Sequence, residues 1–393
     1  MFTRLAAVLL LAVPLAAQHP PLSQGLEHFY NLEYDQAIGE FRQQIAARPN
    51  AAELYNHLAM SILYREMFRF GALETELVSG GNPFLRRRKM NPTPADQRVF
   101  ADAIQKAMAV SQARIDKNPK DVQALYTLGV AWGLRANYDF LVRQAYMDAL
   151  REATTGRKLH NKVTELDPSN VDARLMQGVH DYVLGSLPWH IRALGFLAGF
   201  YGDKNRGIRT LEDVAARGTE NKVDAEVLLC AIYRRERTPV KAVTLLRSLI
   251  LRFPRNFLFR FELAQMYSDL ARKTDALNTL QEIENLKASG SPGYTGLPAE
   301  KIQFARGVIQ FWYNDLDQAV ANLKTVAAHA QELDLNTGTF AWLRLGQAYD
   351  LKGQRALAVS AYEQAVRLAP KSDAAKLSSQ YINSPYSREK PKG

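Results

Sequence analysis

The sequence predicts an all-α fold, an α-solenoid in which pairs of antiparallel helices stack one after another along the chain. The main observation is a 34-residue period, which is typical of helical-repeat proteins: Tyr233 recurs as Tyr267, and Ala242 recurs as Ala276. The composition supports a folded chain, with 47% hydrophobic and 23% charged residues among 393. Because each repeat packs on its neighbours, a chain of this length can form one continuous body.

The last repeat has the clearest pattern. Small residues such as Gly346 and Ala358 are spaced to lie where two antiparallel helices cross closely, and Pro370 stands where the second helix must stop. This spacing resembles the tetratricopeptide repeat family, whose pattern is W-x2-L-G-x2-Y, then A-x3-F, A and P. The resemblance implies stacked helical hairpins. It rests on nine positions, which are Trp342, Leu345, Gly346, Tyr349, Gly353, Ala358, Tyr362, Ala365 and Pro370.

The same pattern, applied back along the chain, gives about eight irregular units between residues 18 and 382. The first helix pair and the segment 373–381 are expected to cap the stack. The polar segment 383–393 is predicted to be a disordered tail. The departures from a regular period are inserts at 68–93 and 185–207 and a loop rich in Gly, Ser and Pro at 286–299.

Residues 1–17 have the pattern of a secretory signal peptide. Arg4 precedes an unbroken apolar run, and small residues follow up to Ala17. The run is shorter than the roughly 20 residues that span a bilayer. We therefore expect cleavage near Ala17 and an exported bacterial protein, periplasmic or extracellular, with a retained anchor as the alternative. The single cysteine, Cys230, excludes an intramolecular disulfide and is expected to be a buried packing residue.

No motif of a catalytic, cofactor or metal site is present in the sequence. The seven histidines never fall in an H-x3-H or H-E-x2-H spacing, and one cysteine cannot form a thiolate metal site. The G-x-S-x-G elbow, the phosphate-binding G-x4-G-K-S/T loop and a G-x-G-x-x-G turn after a strand are missing as well. We therefore expect no cofactor and a non-catalytic role.

The resemblance implies that the first helix of each unit lines a concave face that binds a protein or peptide. The groove of units five to eight is expected to be aromatic, with a cationic spot that suits an acidic partner. The alternative is that these aromatic residues belong partly to the core between units. The predicted groove residues are Arg234, Arg235, Lys301, Phe304, Val308, Phe311 and Trp312, followed in unit eight by Phe340, Leu343, Gln347, Asp350 and Leu351.

A second candidate site lies beside the insert 185–207, where polar and aromatic residues converge. A cavity under the insert would make the protein a carrier for a small apolar or acidic ligand, or an accessory component of an envelope transport system. The alternative is a hydrogen-bonded corner of the core. The residues of this second site are His180, Asp181, Tyr182, Trp189 and His190.

The chain is basic, with a net charge of +10 from 50 Lys and Arg against 40 Asp and Glu. Its densest charge block is Arg86, Arg87, Arg88 and Lys89. We do not expect nucleic acid as the partner of an exported protein, so the block favours peripheral contact with anionic lipid headgroups or an acidic partner, and a solvated loop is the alternative. The sequence leaves the oligomeric state open.

Overall fold

The computed structural model describes residues 22–73, 90–189, 192 and 201–388. The predicted signal peptide at 1–17, the cationic block at 86–89 and His190 lie outside these residues. The described residues form helices and turns, and no strand occurs among them. The all-α prediction is therefore confirmed.

The described part of the chain contains seventeen α-helices joined mostly by short turns. In chain order they are α1 (Gln24–Tyr30), α2 (Tyr34–Ala47), α3 (Ala52–Arg69), α4 (Pro94–Lys117), α5 (Val122–Tyr138), α6 (Tyr146–Leu166), α7 (Arg174–Gly185), α8 (Lys204–Arg217), α9 (Lys222–Arg235), α10 (Pro239–Arg252), α11 (Phe257–Asp269), α12 (Lys273–Ala288), α13 (Ala299–Trp312), α14 (Leu316–Ala328), α15 (Leu335–Leu351), α16 (Arg355–Leu368) and α17 (Asp373–Asn383).

Consecutive helices pack as hairpins, from α1 with α2 to α15 with α16, and each hairpin packs on the next. We call these eight hairpins units one to eight. In unit three a π-helical turn, Asp139–Arg143, extends α5, and α17 packs on unit eight at the end of the stack. This arrangement confirms the predicted α-solenoid, in which each unit buries its apolar face against its neighbours.

Five of the hairpins share one turn geometry between their two helices. A residue in the left-handed region ends the first helix, and the next N–H donates to the carbonyl five positions back, as in a Schellman motif. In unit five Arg237 has a φ of 57°, and the N–H of Thr238 donates to the Tyr233 carbonyl at 2.8 Å. The geometry satisfies carbonyls that a helix end would otherwise leave unpaired. The left-handed residues are Leu32, Arg237, Ala271, Asn314 and Gly353.

Glycine allows the two helices of a unit to approach closely. A Cβ atom added to Gly346 would lie 2.5 Å from Cε1 of Tyr362, whose ring has no exposed surface. The Tyr362 hydroxyl is held as well, because it donates to Oδ2 of Asp350 at 2.8 Å. The prediction that Gly346 lies at a close helix crossing is confirmed.

Unit one also contacts the turn between units five and six, although these units are distant in sequence. Nε of Arg255, in the turn before α11, donates to Oε1 of Glu33 at 2.7 Å. Nδ2 of the neighbouring Asn256 donates to the Tyr30 carbonyl at 2.8 Å, and the Tyr30 ring lies 5.1 Å from that of Phe253. The first helix pair, expected to be a terminal cap, thus also braces units five and six.

A carboxylate of α9 also lies against α1. Oδ1 of Asp224 accepts a hydrogen bond from the Tyr30 hydroxyl at 3.1 Å. Burial raises the pKa of Asp224 to about 6, the Tyr30 hydrogen bond opposes this shift, and the negative charge of Asp172 adds to it. Because the folded chain favours the neutral carboxyl, ionisation of Asp224 lowers the stability of the fold.

Replacing Gly346 by Ala is expected to destabilise unit eight, although alanine has the higher helix propensity. The new methyl group must displace the buried Tyr362 ring, which costs about 1–3 kcal/mol. The matched control is Gly39→Ala in α2, where no atom lies within 4 Å of the added Cβ and a gain of about 0.5–1 kcal/mol is expected. Urea unfolding followed by circular dichroism measures both changes. A Gly346→Ala midpoint at or above that of the wild type would contradict the close crossing.

Replacing Asp224 by Asn is expected to stabilise the protein at neutral pH. Between the ordinary pKa of 3.8 and the folded value of about 6, the folded chain holds a proton that the unfolded chain has released. The free energy of unfolding of the wild type therefore falls as the pH rises through this window. The amide still accepts the Tyr30 hydrogen bond but carries no charge. At roughly 1.36 kcal/mol per pKa unit, the gain approaches about 3 kcal/mol near pH 7.

Thermal unfolding at several pH values tests the Asp224 prediction. The melting temperatures of Asp224→Asn and wild type should nearly coincide around pH 4 and separate by about pH 7. Asp102→Asn, at an exposed position of α4, is the control for losing a surface carboxylate. A gain that is the same at every pH would show that titration of Asp224 is not its cause.

Candidate functional site

Two of the predicted groove cations are paired with carboxylates of the neighbouring unit. Nε of Arg234 donates to Oδ2 of Asp269 at 3.0 Å, and Nζ of Lys301 lies 3.0 Å from Oδ2 of Asp334. Burial alone would raise the pKa of Asp334, but Lys301 and the N–H of Thr337 hold it below its usual value. These charges are compensated within the protein, so they give little reason to expect an acidic partner.

The third predicted cation, Arg235, is exposed at the end of α9. Its guanidinium group lies 6.0 Å from the centroid of the Tyr182 ring, within the range of a cation–π contact. Arg235 is therefore the predicted groove cation that can still meet a partner from solvent.

The aromatic part of the predicted groove is divided between core and surface. Phe304, Val308 and Phe311 are buried in a cluster with residues of α14 and α15, such as Leu323. The prediction that Phe304 and Val308 line an open groove is wrong, because α15 packs directly on α13. Phe311 packs in the same cluster, but its ring is also contacted by the C-terminal residues Tyr386 and Arg388. Packing between units, the alternative interpretation, is confirmed for Phe304 and Val308. Trp312 is 48% exposed and remains on the surface.

In unit eight the predicted groove positions also face mostly inward. Leu343 and Gln347 are buried, and Phe340 and Leu351 are partly buried against the neighbouring cores. The carboxylate of Asp350 is buried too, with 1% of its side chain exposed. An inward-facing carboxylate needs several hydrogen-bond donors, and these donors define the site described below.

The second candidate site is a network of ion pairs that links α7 to α8 and α9. Asp181 accepts two hydrogen bonds from Arg206, at 2.6 and 2.8 Å. The Tyr182 hydroxyl donates to Oε1 of Glu236 at 3.1 Å, and Nζ of Lys204 donates to Oε2 of Glu236 at 2.6 Å. These bonds hold the helices of units four and five together, as the alternative of a hydrogen-bonded corner predicts.

The other residues of the second candidate site do not complete a pocket in the described structure. Burial, with the nearby charge of Arg157, lowers the pKa of His180 to about 4, so this imidazole is neutral at physiological pH. Trp189 follows α7 and is 78% exposed. The structure thus brings Asp181 and Tyr182 into one network and leaves Trp189 on the surface.

A polar cavity of about 270 Å³ lies between units three, four and five. Its wall includes Tyr126, Asp172 and Glu220. Asp172 accepts hydrogen bonds from the N–H groups of Thr219 and Asn221, at 3.1 and 2.8 Å, and burial together with the charge of Asp172 raises the pKa of Glu220. These bonds fix the turn before α9, so Asp172 has a structural role.

The structure also describes the candidate metal ligands and the single cysteine. No group of three or more His, Cys, Asp or Glu side chains among them is arranged to hold a metal ion. Cys230 is buried, and burial raises the pKa of its thiol, which makes it a poor nucleophile. Within the same residues, no helix combines the length and the apolar composition needed to cross a bilayer.

The segment beyond α17 lies on the first helices of units seven and eight. Residues 384–388 form no regular secondary structure, and Ser384 at their start has extended backbone angles. Tyr386 and Arg388 are half-buried, whereas Pro385 and Ser387 are exposed. Such alternation is typical of an extended segment with one face against a surface. Over these residues the structure differs from the predicted disordered tail, because specific contacts hold the segment in place.

Asp350 on α15 holds the backbone of this segment. Its Oδ2 accepts a hydrogen bond from the N–H of Tyr386 at 2.8 Å and another from the Tyr362 hydroxyl at 2.8 Å. Nη1 of Arg355 donates to Oδ1 at 2.9 Å, and Nη2 of Arg355 donates to two carbonyls at the end of α17. The backbone of the tail is therefore one of three groups that satisfy a buried carboxylate.

The two inward side chains of the segment pack on aromatic rings. The Tyr386 ring lies 6.0 Å from that of Phe311 and 5.2 Å from that of Tyr381. The Arg388 guanidinium lies 5.2 Å from the centroid of Phe311 and donates to the Phe311 carbonyl. A groove of about 650 Å³ runs alongside, between Trp312 and the tail itself. We call Phe311, Trp312, Asp350 and Tyr381 the tail-binding surface.

The tail-binding surface overlaps the groove that the sequence predicts. Phe311, Trp312 and Asp350 were all predicted as groove positions, whereas Tyr381 and the segment that occupies the surface were missed. The available signal was a tyrosine, Tyr386, within a C-terminal stretch of polar residues and prolines. An aromatic residue in such a stretch has a reason to pack when a complementary surface lies close by.

One family model and several solved structures are similar to this chain. Residues 341–372 match the family model of the tetratricopeptide repeat, and no curated protein matches the chain. Three solved structures are similar over most of this chain. The structure of yeast Tom70 is 13% identical, and the match covers 92% of this chain and 89% of that chain with a TM-score of 0.39. For the APC/C hetero-tetramer Cut9–Hcn1 the identity is 13%, the coverage is 89% of this chain and 58% of that chain, and the TM-score is 0.41; for a human IFIT1 dimer with m7Gppp-AAAA the identity is 12%, the coverage is 91% of this chain and 80% of that chain, and the TM-score is 0.45. Residues 341–372 therefore have the sequence of a tetratricopeptide repeat, and they lie in the last of the eight helix pairs of this α-solenoid.

Proposed function

We propose that this protein is a non-catalytic scaffold that binds an extended segment of a partner protein on the concave face of its last units. The observation that carries the proposal is the segment 384–388, which lies across the first helices of units seven and eight with alternate side chains facing them. A surface that orders one extended segment has the shape and hydrogen-bonding groups to order another. The tetratricopeptide match at 341–372 supports a binding role, because solenoids offer extended concave surfaces.

The binding energy is expected to come from aromatic contact more than from charge. Trp312 is half-exposed beside the groove, and the Arg344 guanidinium lies 4.9 Å from its centroid. Partly exposed tryptophan and arginine side chains are typical anchors of protein interfaces. Arg235, exposed at the end of α9, is the groove cation that we propose for an acidic group of the partner.

We also propose that the protein acts in the bacterial cell envelope. The support is the signal-peptide pattern of residues 1–17, with its early cation, short apolar run and small residues before the cleavage position. In that compartment the basic block 86–89 meets the anionic headgroups of lipids. The proposed location does not depend on the proposed binding groove, since the pattern at 1–17 lies outside the residues that form the solenoid.

A photo-crosslinking amino acid at position 312 is expected to form a discrete adduct with a partner protein in the producing cell. The same amino acid at position 251 is the control, because Leu251 is exposed on α10, the second helix of unit five. Denaturing electrophoresis and mass spectrometry identify the adducts. Equal labelling at both positions, or an adduct at 251 alone, would contradict binding at the concave face of the last units.

Leu10→Arg is expected to block export, because a charge in the apolar run of a signal peptide prevents its insertion. The wild type should be recovered from the envelope fraction with Gln18 as its first residue. Gln36→Arg adds the same charge at an exposed position of α2 and should leave export unchanged. Cell fractionation and N-terminal sequencing measure the outcome. Recovery of the wild type in the cytoplasm with Met1 intact would refute the envelope assignment.

A further inference from the structure

We infer that residues 384–388 are a built-in ligand of the tail-binding surface, and that the partner presents the same chemistry: an extended segment with an aromatic side chain two residues before an arginine. The tail and the partner then compete for one surface, and the bound tail limits access of the partner to the groove. This inference rests on the proposed function and specifies its ligand.

The buried carboxylate of Asp350 sets the first requirement for a segment that binds to the tail-binding surface, which is a hydrogen-bond donor. The N–H of Tyr386 supplies one of its donors, and Arg355 and Tyr362 supply the others. The Asp350 side chain is 1% exposed with the tail in place. When the tail leaves, one lone pair of the carboxylate loses its donor, and either water or the N–H group of another segment must replace it. An extended peptide backbone provides an N–H group at the required point, so the preferred occupant is extended.

The two side chains that face inward set the remaining requirements. An aromatic ring fits at the Tyr386 position, because it meets the rings of Phe311 and Tyr381. A cation fits at the Arg388 position, since it lies over the face of Phe311 and donates to the carbonyl of that residue. A carboxylate at this position would meet the negative face of the ring and a carbonyl oxygen, which disfavours an acidic residue there.

The tail is positioned to be displaced. It is joined directly to α17, so its effective concentration at the surface is high, of the order of millimolar, although only two of its side chains face inward. The groove of about 650 Å³ beside it is open, and Trp312 on that groove is half-exposed. An incoming peptide can therefore contact Trp312 first and then replace the tail residue by residue.

A fluorescein-labelled peptide with the sequence of residues 383–388, NSPYSR, tests this inference on the full chain. Fluorescence anisotropy is expected to show binding at least about tenfold tighter to the double variant Tyr386→Ala/Arg388→Ala than to the wild type, because the variant lacks the competing side chains. Ser387→Ala, which changes an exposed residue of the same segment, should behave like the wild type. Trp312→Ala in the double variant should weaken the binding again.

Further controls separate the possible outcomes. Circular dichroism establishes that the double variant is folded, and the peptide NSPASA, tested on the same proteins, should not bind. Equal binding of NSPYSR to wild type and double variant would overturn the inference. So would a wild-type dimer, seen by analytical ultracentrifugation and lost in the double variant, because the tail would then serve a second copy. If NSPYSR binds neither protein while position 312 still captures a partner, this inference fails and the proposed scaffold function stands.

Discussion

The close approach of two helices at Gly346 is the constraint on which the C-terminal half of the groove depends. With no side chain at this position, the Tyr362 ring can lie directly against α15, and its hydroxyl then reaches Asp350. The same carboxylate accepts Arg355 from the next helix and the backbone of the tail. The close packing of this hairpin therefore also positions a binding group, because it holds the buried carboxylate of Asp350 toward the groove.

The curvature of the stack is fixed elsewhere, by contacts between units that are distant in sequence. Arg255 and Asn256 connect the turn before α11 to unit one. At the other end of the stack, Nδ2 of Asn336 in unit eight donates to the Phe70 carbonyl at the end of α3. An open solenoid has contacts only between neighbouring units and can flex along its length. Here contacts across the superhelix limit that flexing, so the first helices of units seven and eight form a surface of defined shape.

The repeat and its helices could be predicted from the sequence, because the 34-residue period and the spacing of small and large residues reflect local packing within each hairpin. Three left-handed turns could not, since Leu32, Arg237 and Ala271 are not the glycine or asparagine that signals this geometry. Trp312 is exposed as a groove residue would be, whereas Phe304 and Val308 are buried in the cluster between α13, α14 and α15, and the repeat pattern alone does not distinguish these two environments. The position of the tail could not be predicted for a related reason: Tyr386 indicates that the segment can pack, but the residues on which it packs, Asp350 and Phe311, are distant in sequence.

The charge of the chain and the chemistry of its groove are separate properties. The net charge of +10 suggests an acidic partner, yet Arg234 and Lys301 are paired with Asp269 and Asp334. The segment that does occupy the surface is basic, and its arginine lies on an aromatic ring. Overall charge acts over long distances and affects encounter with membranes or partners, whereas recognition depends on a few desolvated contacts. On the tail-binding surface the contacts of this kind are a buried carboxylate, which accepts a backbone N–H group of the tail, and an aromatic face, which meets the cation of the tail.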